Sequence, residues 1–295
     1  MNLKNLFCPN FNVSDKQWLE ILIKSIDGSS PAFLNLPSFP DEKIQVMFVG
    51  SSWKKALKEG ATFYGYCKRL ATSYNYPILP NSRVLDFGCG WGRYARFFMK
   101  DVRRSHIFGV DIDPDILDIC RQTEVPGNFH LIDHYGKLPF EDSYFDFVTA
   151  YSVFTHLPEN LADHWIKEIS RVMKPNGLFV LTLEPRRFLA FIFKLPASGD
   201  NLWHKSLRKV ADDSNLQELQ QRFDCGEYVY LPTGGGEYRS ADVYGEAVVS
   251  PACFQEKFGS YFNDMNYLDD ETRFWQAVMS VRKKSEPFIS LHQDV

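Results

Sequence analysis

The sequence predicts an α/β fold whose core is a parallel β-sheet covered by helices on both faces. Between Arg83 and Leu183, short apolar runs typical of strands alternate with amphipathic stretches typical of helices. The runs are apolar nearly throughout, as expected for strands that are buried on both faces of a sheet. Three glycines, Gly88, Gly90 and Gly92, follow the first run, where the backbone must turn tightly from strand to helix.

The first 80 residues are predicted to form a helical cap that precedes the sheet. Ser14 and Gln17 have the spacing of a capping box, so we expect a helix to begin there. A longer helix is expected from about Ser52 to Ser73, with interruptions at Gly60 and Gly65.

Five strands are predicted between the cap and residue 183. Their bounds are Arg83–Phe87, His106–Asp111, Asn128–Ile132, Phe145–Tyr151 and Leu178–Leu183. After the second strand, Asp113 is a predicted N-cap and Pro114 the first helical residue. An amphipathic helix is expected over Glu159–Met173, followed by a turn at residues 175–177.

Residues 184–244 break the alternation and are interpreted as an insertion that forms a lid or substrate platform. The insertion contains an apolar stretch at residues 188–193 and a polar helix from about Ser214 to Phe223. A hairpin is expected in which Glu227–Leu231 pairs with Tyr238–Val243 across three glycines. The remainder of the predicted 81–295 domain has a helix at Pro251–Phe258 and strands at Phe262–Leu268 and Phe274–Arg282.

The composition narrows the classes of function. The chain has 295 residues, 44% of them hydrophobic, which is enough for one large domain with a cap. Its net charge is −4 and no long Lys/Arg run occurs, so we expect no nucleic-acid partner. Six cysteines, Cys8 among them, are scattered without a CxxC pair, which argues against a disulfide framework and against a thiolate metal site.

The same features predict a cytoplasmic protein. Scattered free thiols fit a reducing compartment. The N-terminus lacks the basic and apolar regions of a signal peptide. No apolar run approaches the roughly 20 residues that span a bilayer.

The glycine turn and an acidic residue after the second strand predict a site for an adenosine-containing cofactor. Both lie at the carboxyl ends of strands, where open α/β sheets bind ligands. Asp111 could accept hydrogen bonds from both ribose hydroxyls. The spacing is GxGxG rather than the GxGxxG of dinucleotide folds, and Asp86 would repel a pyrophosphate but suits the ammonium of a methionine. These details favour S-adenosylmethionine; a purely structural turn is the alternative.

The segment Val84–Arg93, VLDFGCGWGR, resembles motif I of class I S-adenosylmethionine-dependent methyltransferases. The similarity continues in order through residues 109–111, 138–140, 145–148, 152–157 and 168–177, and weakly over 245–283. The resemblance implies a Rossmann-like sheet of seven strands, the last antiparallel, sandwiched by helices. It also implies S-adenosyl-L-methionine as cofactor and S-adenosyl-L-homocysteine as product.

The resemblance further implies which residues surround the cofactor. They are Asp86, Phe87, Gly88, Cys89, Gly90, Gly92 and Arg93 around the methionine portion, Asp111 at the ribose, Ile112, Asp133 and His134 at the adenine, and Tyr151 and Ser152 beside the sulfonium. The alternative for Asp133 is a solvated loop acid, and for Arg93 a salt bridge.

His156 is the candidate for acid–base catalysis, because it follows the fourth strand on the side where the acceptor should lie. A methyl group on a sulfonium is already activated, so catalysis mainly aligns the attacking atom. A hydroxyl acceptor must also lose its proton, which a histidine can take near neutral pH. The alternative is that His156 packs against or caps the helix that begins near Glu159.

Four residues are candidates for contact with the acceptor: Tyr64 in the cap, and Trp203, His204 and Tyr238 in the insertion. Aromatic faces suit sugars and rings, although packing within the cap and the insertion explains them as well. The stretch Arg186–Lys194 has basic ends around apolar residues and is a candidate for peripheral membrane contact, with packing as the alternative.

Motifs that are absent from this sequence also constrain the acceptor. The fourth strand ends without the [DN]PP[YF] or Pro-Cys signatures of nucleic-acid methyltransferases. The sequence therefore predicts methyl transfer to a small-molecule or glycan acceptor, with a hydroxyl oxygen as the expected acceptor atom. The alternatives are an NAD-type dinucleotide-dependent oxidoreductase and a non-catalytic cofactor-binding module.

Overall fold

The computed structural model describes residues 13–30, 32–196, 201–211 and 215–285. A seven-stranded sheet forms its centre, and a small two-stranded sheet accompanies it. In chain order the strands are β1 (Val84–Phe87), β2 (Ile107–Asp111), β3 (Asn128–Leu131), β4 (Phe145–Ala150), β5 (Met173–Leu183), β6 (Val229–Leu231), β7 (Glu246–Val248), β8 (Phe262–Leu268) and β9 (Ala277–Lys283). Cys8, Ser214 and the chain beyond residue 285 lie outside the described residues.

The large sheet has the order β3-β2-β1-β4-β5-β9-β8. Strands β1 to β5 run parallel, whereas β9 is antiparallel to both of its neighbours. The predicted α/β fold, with seven strands of which the last is antiparallel, is therefore confirmed. The strand order reverses between β1 and β4, and such a reversal opens a crevice at the carboxyl ends of the strands.

Helices cover both faces of the sheet. In chain order they are α1 (Asp15–Ser25), α2 (Glu42–Val49), α3 (Trp53–Ser73), α4 (Ala95–Phe98), α5 (Pro114–Gln122), α6 (Glu159–Val172), α7 (Arg186–Lys194), α8 (Leu202–Val210), α9 (Leu216–Asp224) and α10 (Pro251–Phe258). Successive β1 residues point to opposite cores: Leu85 joins the core that contains Trp165 of α6, and Val84 joins the core that contains Phe63 of α3.

Both predicted helix starts are confirmed. The Ser14 hydroxyl accepts a hydrogen bond from the Gln17 amide, and the Gln17 side chain accepts one from the Ser14 amide, which completes the capping box of α1. At α5, Asp113 accepts bonds from the amides of Asp115 and Ile116. These caps satisfy amides that the first helical turn leaves unpaired.

The predicted interruption of the long cap helix is wrong. Helix α3 runs unbroken for 21 residues and includes both Gly60 and Gly65. A Cβ on Gly60 would lie 2.8 Å from Cε2 of Phe97. Because a glycine has no side chain, α3 can approach α4 closely here, and the residue serves packing rather than a break.

The predicted hairpin of the insertion is also wrong. Strand β6 pairs with β7, not with Tyr238–Val243. Ala247 and Val248 of β7 are fully buried, so this pairing covers apolar surface that the predicted partner could not cover. The three glycines instead form a compact loop in which the Gly235 amide donates to the Arg239 carbonyl at 2.7 Å.

The predicted turn at residues 175–177 lies inside β5. Asn176 has a φ of +64°, and the pairing of β5 with β4 shifts register between Phe145 and Phe147. The segment is therefore an irregularity in a long strand rather than its boundary.

Helices α7, α8 and α9 share a small core with β6 and β7. Phe188, Leu189 and Ile192 of α7 are buried in it, so this part of the Arg186–Lys194 stretch packs internally. Among the described residues, no helix combines the length and the apolar character needed to cross a bilayer.

Candidate functional site

A cavity opens in the crevice at the carboxyl ends of β1, β2 and β4. It brings together eleven of the predicted site residues: Phe87, Gly88, Cys89, Gly90, Arg93, Asp111, Ile112, His134, Tyr151, Ser152 and His156. The elements that carry them are adjacent in the sheet, although they are distant in the chain. The opposite wall includes Phe48 from α2 and Arg239 from the 184–244 segment.

The glycine loop adopts left-handed backbone angles, with φ of +72° at Gly88, +51° at Gly90 and +72° at Gly92. The amides of Gly88 and Cys89 both donate to the Val110 carbonyl, which ties the loop to the end of β2. A Cβ on Gly88 would lie 2.3 Å from Cγ2 of Val153. Glycine is therefore required at position 88 for its backbone angle and for the close approach of the segment that follows β4.

We expect Gly88→Ala to lower the free energy of unfolding by about 1–3 kcal/mol more than Gly28→Ala does, because the added methyl overpacks the site. Gly28 is a matched control: its φ is +76°, and a Cβ there would meet no atom within 4 Å. Urea unfolding of both variants measures the difference. Equal losses would mean that only backbone strain matters at Gly88.

Asp111 binds the loop with its carboxylate. Its Oδ2 accepts from the Gly90 amide at 2.9 Å and its Oδ1 from the Asp113 amide at 3.2 Å. Burial raises the pKa of Asp111, and the two amide hydrogen bonds oppose that rise. Each carboxylate oxygen can accept a further bond, so Asp111 remains able to bind hydroxyl groups in the cavity.

Asp86 and Arg93 are buried charged residues near the loop, and each keeps one polar atom without a hydrogen-bond partner. Asp86 is 2% exposed, and its Oδ2 has no hydrogen-bond partner. Burial raises the pKa of Asp86 to about 7, against the opposing effects of the Thr149 hydroxyl and the Arg93 charge. Arg93 is 3% exposed, its Nε is unpartnered, and Oε2 of its ion-pair partner Glu59 lies 4.0 Å away. Arg93 also donates to the Ala56 carbonyl and the Tyr94 hydroxyl, but neither partner is charged. Buried charges normally have close partners of opposite charge, so these two residues are suited to a ligand that brings both charges.

His156 lies on the cavity wall at the end of β4. Its Nδ1 donates to the Gly245 carbonyl at 2.8 Å, because a carbonyl oxygen can only accept. The ring stacks on Tyr244 with centroids 4.5 Å apart, and Nε2 lies 3.4 Å from the Ser152 Oγ. In the neutral imidazole the proton is thus on Nδ1, and Nε2 carries the lone pair that can accept a proton.

Two buried glutamates beside His156 were not predicted from the sequence. Glu246 approaches the His156 Nδ1 to 3.4 Å, and Glu184 accepts from Gln276 at 3.0 Å. Burial, together with the charge of Glu246, raises the pKa of Glu184 to about 8. Burial alone would lower the pKa of His156, but Glu246 and the Gly245 carbonyl raise it. The position of Glu184 directly after β5 was a usable signal, since functional residues follow strands in such sheets; Glu246 had none.

The comparisons with known proteins agree with this geometry. A methyltransferase-domain family model matches residues 84–177. The chain is 27% identical over 172 residues to a demethylmenaquinone methyltransferase of Staphylococcus saprophyticus, covering 57% of this chain and 63% of that protein. A fatty-acid O-methyltransferase of Mycolicibacterium smegmatis is 30% identical, covering 48% of this chain and 46% of its own length. A ubiquinone/menaquinone biosynthesis C-methyltransferase of Vibrio cholerae is 31% identical over 181 residues, covering 53% of this chain and 69% of its own. The chain belongs to the class I S-adenosylmethionine-dependent methyltransferase superfamily.

The cavity of this methyltransferase fits S-adenosylmethionine. The Asp86 carboxyl and the Arg93 guanidinium, each with one buried atom that lacks a partner, are complementary to the ammonium and the carboxylate of an amino acid. Asp111 has accepting capacity left for ribose hydroxyls, and His134 and Ile112 line the cavity next to it. The family assignment also removes the NAD-type oxidoreductase as an alternative.

Three predicted cofactor residues do not line the cavity of the methyltransferase: Asp86, Gly92 and Asp133. Asp86 is buried at the end of β1, next to Phe87 and Gly88, which do line it. Gly92 faces the packing between the loop and α5, since a Cβ there would lie 2.6 Å from Cγ1 of Val125. Asp133 is exposed to solvent after β3 and does not line the cavity.

The four predicted acceptor residues also lie outside the cavity. The Tyr64 hydroxyl donates to Asp101 and its ring packs on Phe97, so Tyr64 belongs to the core between α3 and α4. Trp203 and His204 are on α8, with their rings against Phe191. Tyr238 contributes only its carbonyl, which accepts from the His134 Nε2 at 2.9 Å.

Proposed function

We propose that this chain transfers the methyl group of S-adenosylmethionine to a hydroxyl oxygen of a small-molecule acceptor. One observation carries the proposal: the glycine loop, Asp111 and His156, whose Nε2 is the unprotonated ring nitrogen, line the same cavity. A group bound between them would lie within reach of a base and of the elements that hold an adenosine-containing cofactor.

The chain's own residues would hold the cofactor by its charged and polar ends. Asp86 and Arg93 would bind the amino and carboxylate groups of the methionine portion, and Asp111 the ribose hydroxyls. Tyr151, whose ring lies 5.0 Å from the Arg93 guanidinium, would line the methionine end of the site together with Ser152. Oriented hydrogen bonds of this kind align the methyl group for in-line attack.

When bound, S-adenosylmethionine supplies a methyl carbon that bonds to the acceptor oxygen while its bond to sulfur breaks and that electron pair stays on sulfur. The acceptor hydroxyl must lose its proton in this reaction, and Nε2 of His156 would accept it. The Gly245 carbonyl keeps the other ring nitrogen protonated, so the imidazole is held in the form that can act as a base.

The wall near His156 favours an acceptor with an apolar body. Leu157, Leu161 and Trp165 line the cavity beside the histidine. Two of the similar proteins are a demethylmenaquinone methyltransferase and a fatty-acid O-methyltransferase, which supports this choice. A sugar acceptor has less support, because the aromatic residues Trp203 and Tyr238 that favoured it do not line the cavity.

Incubation with methyl-labelled S-adenosylmethionine and a metabolite extract tests the proposal. We expect label on an oxygen of a small, largely apolar product, and calorimetric binding of S-adenosylmethionine but not of NAD. Binding of the cofactor with no labelled product from any extract would favour the non-catalytic module. Label on carbon or nitrogen would retain the methyltransferase and exclude the hydroxyl acceptor.

The rate of methyl transfer should rise with pH. Neutral His156 is the active form, so the rate increases as the pH passes through the pKa of His156. That pKa is raised by Glu246 despite the opposing effect of burial, so the midpoint should lie above the ordinary histidine value of 6.5. A profile of kcat/KM between about pH 5.5 and 9 measures it, because this ratio reports the ionisation of the free enzyme. A flat profile, or a midpoint below 6.5, would contradict the assignment of His156 as base.

A further inference from the structure

Helix α8 of the 184–244 segment is connected to His156 through one buried carboxylate. Trp203 of α8 donates its indole Nε1 hydrogen to Oε1 of Glu246 at 2.6 Å. The other oxygen of Glu246, Oε2, lies 3.4 Å from the His156 Nδ1 and has no hydrogen-bond partner. The three side chains therefore form a line from the helix to the cavity wall.

Glu246, which lies between Trp203 and His156, is well shielded from water. Glu246 is 1% exposed, and within the part of the chain that the structure describes, Trp203 is the hydrogen-bond donor to its carboxylate. A buried carboxylate needs such donors to stay charged. The indole N–H of Trp203 consequently supports the negative charge that faces His156.

Trp203 itself is held by aromatic packing of α8 on α7. Its ring stacks on Phe191 at 5.8 Å and lies 6.2 Å from Phe188. Trp203 nevertheless remains 39% exposed to solvent. The position of α8 on α7 thus determines whether the indole reaches Glu246.

The main chain reinforces the same connection. The Gly245 amide donates to the His156 carbonyl at 2.9 Å, and the Ala247 amide donates to the Thr155 carbonyl at 2.7 Å. The residues on either side of Glu246 are therefore fixed against the segment that carries His156. The carboxylate cannot move far from the imidazole while this pairing is intact.

We propose that Glu246 and Trp203 are positioning residues for His156: the carboxylate of Glu246 orients the imidazole and stabilises the positive charge that it gains on accepting a proton, and Trp203 of α8 holds that carboxylate in place. The inference rests on the proposed function only in the use made of His156 as a base. The inference predicts that the protonation of His156 depends on the contact between α8 and Glu246.

Other groups around His156 limit what can be attributed to Glu246. Glu184 faces the pair from the end of β5, and its raised pKa of about 8 keeps much of it neutral at pH 7. Tyr244 stacks on the imidazole, and the Arg239 guanidinium lies 5.9 Å from the Tyr244 ring. Ser152 is uncharged. Glu246 is thus the negative charge closest to the Nδ1 of His156 among the described residues.

Titration of histidine side chains by NMR in the full chain, with the His156 signal assigned from a His156→Gln variant, tests the inference without requiring activity. In the wild type we expect the neutral ring to carry its proton on Nδ1. Glu246→Gln should lower the pKa of His156 by about one unit or more, because an opposite charge at this distance favours the imidazolium. Trp203→Phe should shift it in the same direction, because the Glu246 carboxylate loses the hydrogen bond that holds it near the His156 Nδ1.

A double variant separates this effect from a general loss of packing. In the Glu246→Gln background, Trp203→Phe should cause no further shift, since the charge it acts through is absent. Trp275→Phe is the matched control: Trp275 also packs on Phe191, at 5.1 Å, and it should leave the titration unchanged. An unshifted His156 in Trp203→Phe, or an added shift in the double variant, would overturn the inference.

The wild-type protein provides a test that does not depend on folding of the variants. A neutral His156 with its proton on Nε2 would overturn the inference, because Nδ1 could then not donate toward Gly245 and Glu246. The titration tests this inference, and the labelling experiment tests the proposed reaction, so the two results are independent. Labelled product with an unmoved titration removes this inference alone, whereas a moved titration without labelled product removes the proposed reaction.

Discussion

Replacement of His156 by alanine should slow methyl transfer to a hydroxyl acceptor by about 10²- to 10⁴-fold, the usual contribution of a general base. The affinity for S-adenosylmethionine should stay close to that of the wild type, because Asp86, Arg93 and Asp111 are untouched. Single-turnover rates with labelled cofactor measure the first quantity, and calorimetry measures the second.

His164→Ala is the matched control for this experiment. His164 of α6 donates from Nε2 to the Gly136 carbonyl at 2.9 Å and does not line the cavity. Both variants lose one imidazole and one hydrogen bond to a carbonyl, but only the first loses a base. A decrease below about tenfold in His156→Ala would place proton removal elsewhere. Partial recovery of the rate with added imidazole would show that the missing base, rather than altered packing, limits the variant.

Asp111→Ala should weaken the binding of S-adenosylmethionine by about 100-fold or more. The change removes the accepting carboxylate at the ribose position, the bond from Gly90 that holds the glycine loop, and the bond from Asp113 at the start of α5. A hydrogen bond to a charged group contributes about 1.5–3 kcal/mol, and 1.4 kcal/mol corresponds to tenfold in affinity. Calorimetric titration with S-adenosylmethionine measures the change.

Asp118→Ala serves as the comparison, because Asp118 lies on α5 and its carboxylate pairs with Arg121 at the surface. This variant should bind the cofactor with wild-type affinity. Asp111→Asn should lie between the two, since it retains a side-chain acceptor but loses the charge. A wild-type dissociation constant in Asp111→Ala would mean that the ribose is held by other groups, and the orientation assigned to the cofactor would have to be abandoned.

The sequence predicted those parts of the site that carry a local signal. Gly88 and Gly90 come just after β1 and Asp111 is the last residue of β2, and parallel strands bring such residues to one edge of the sheet. The same reasoning placed His156 near them. The strand pairing of the 184–244 segment could not be predicted in this way. Its three glycines predicted a hairpin, whereas burial of Ala247 and Val248 determined the pairing.

By itself, the amino-acid sequence determined the α/β fold, the glycine loop and the position of the acid at 111, because backbone angles and apolar periodicity are properties of neighbouring residues. Only the tertiary structure decided which groups face His156. Its hydrogen-bond partner Gly245 is 89 residues away, and Trp203 contacts Glu246 across 43 residues. Such contacts depend on how α7, α8 and β7 pack together, and packing over that distance leaves no pattern in the sequence.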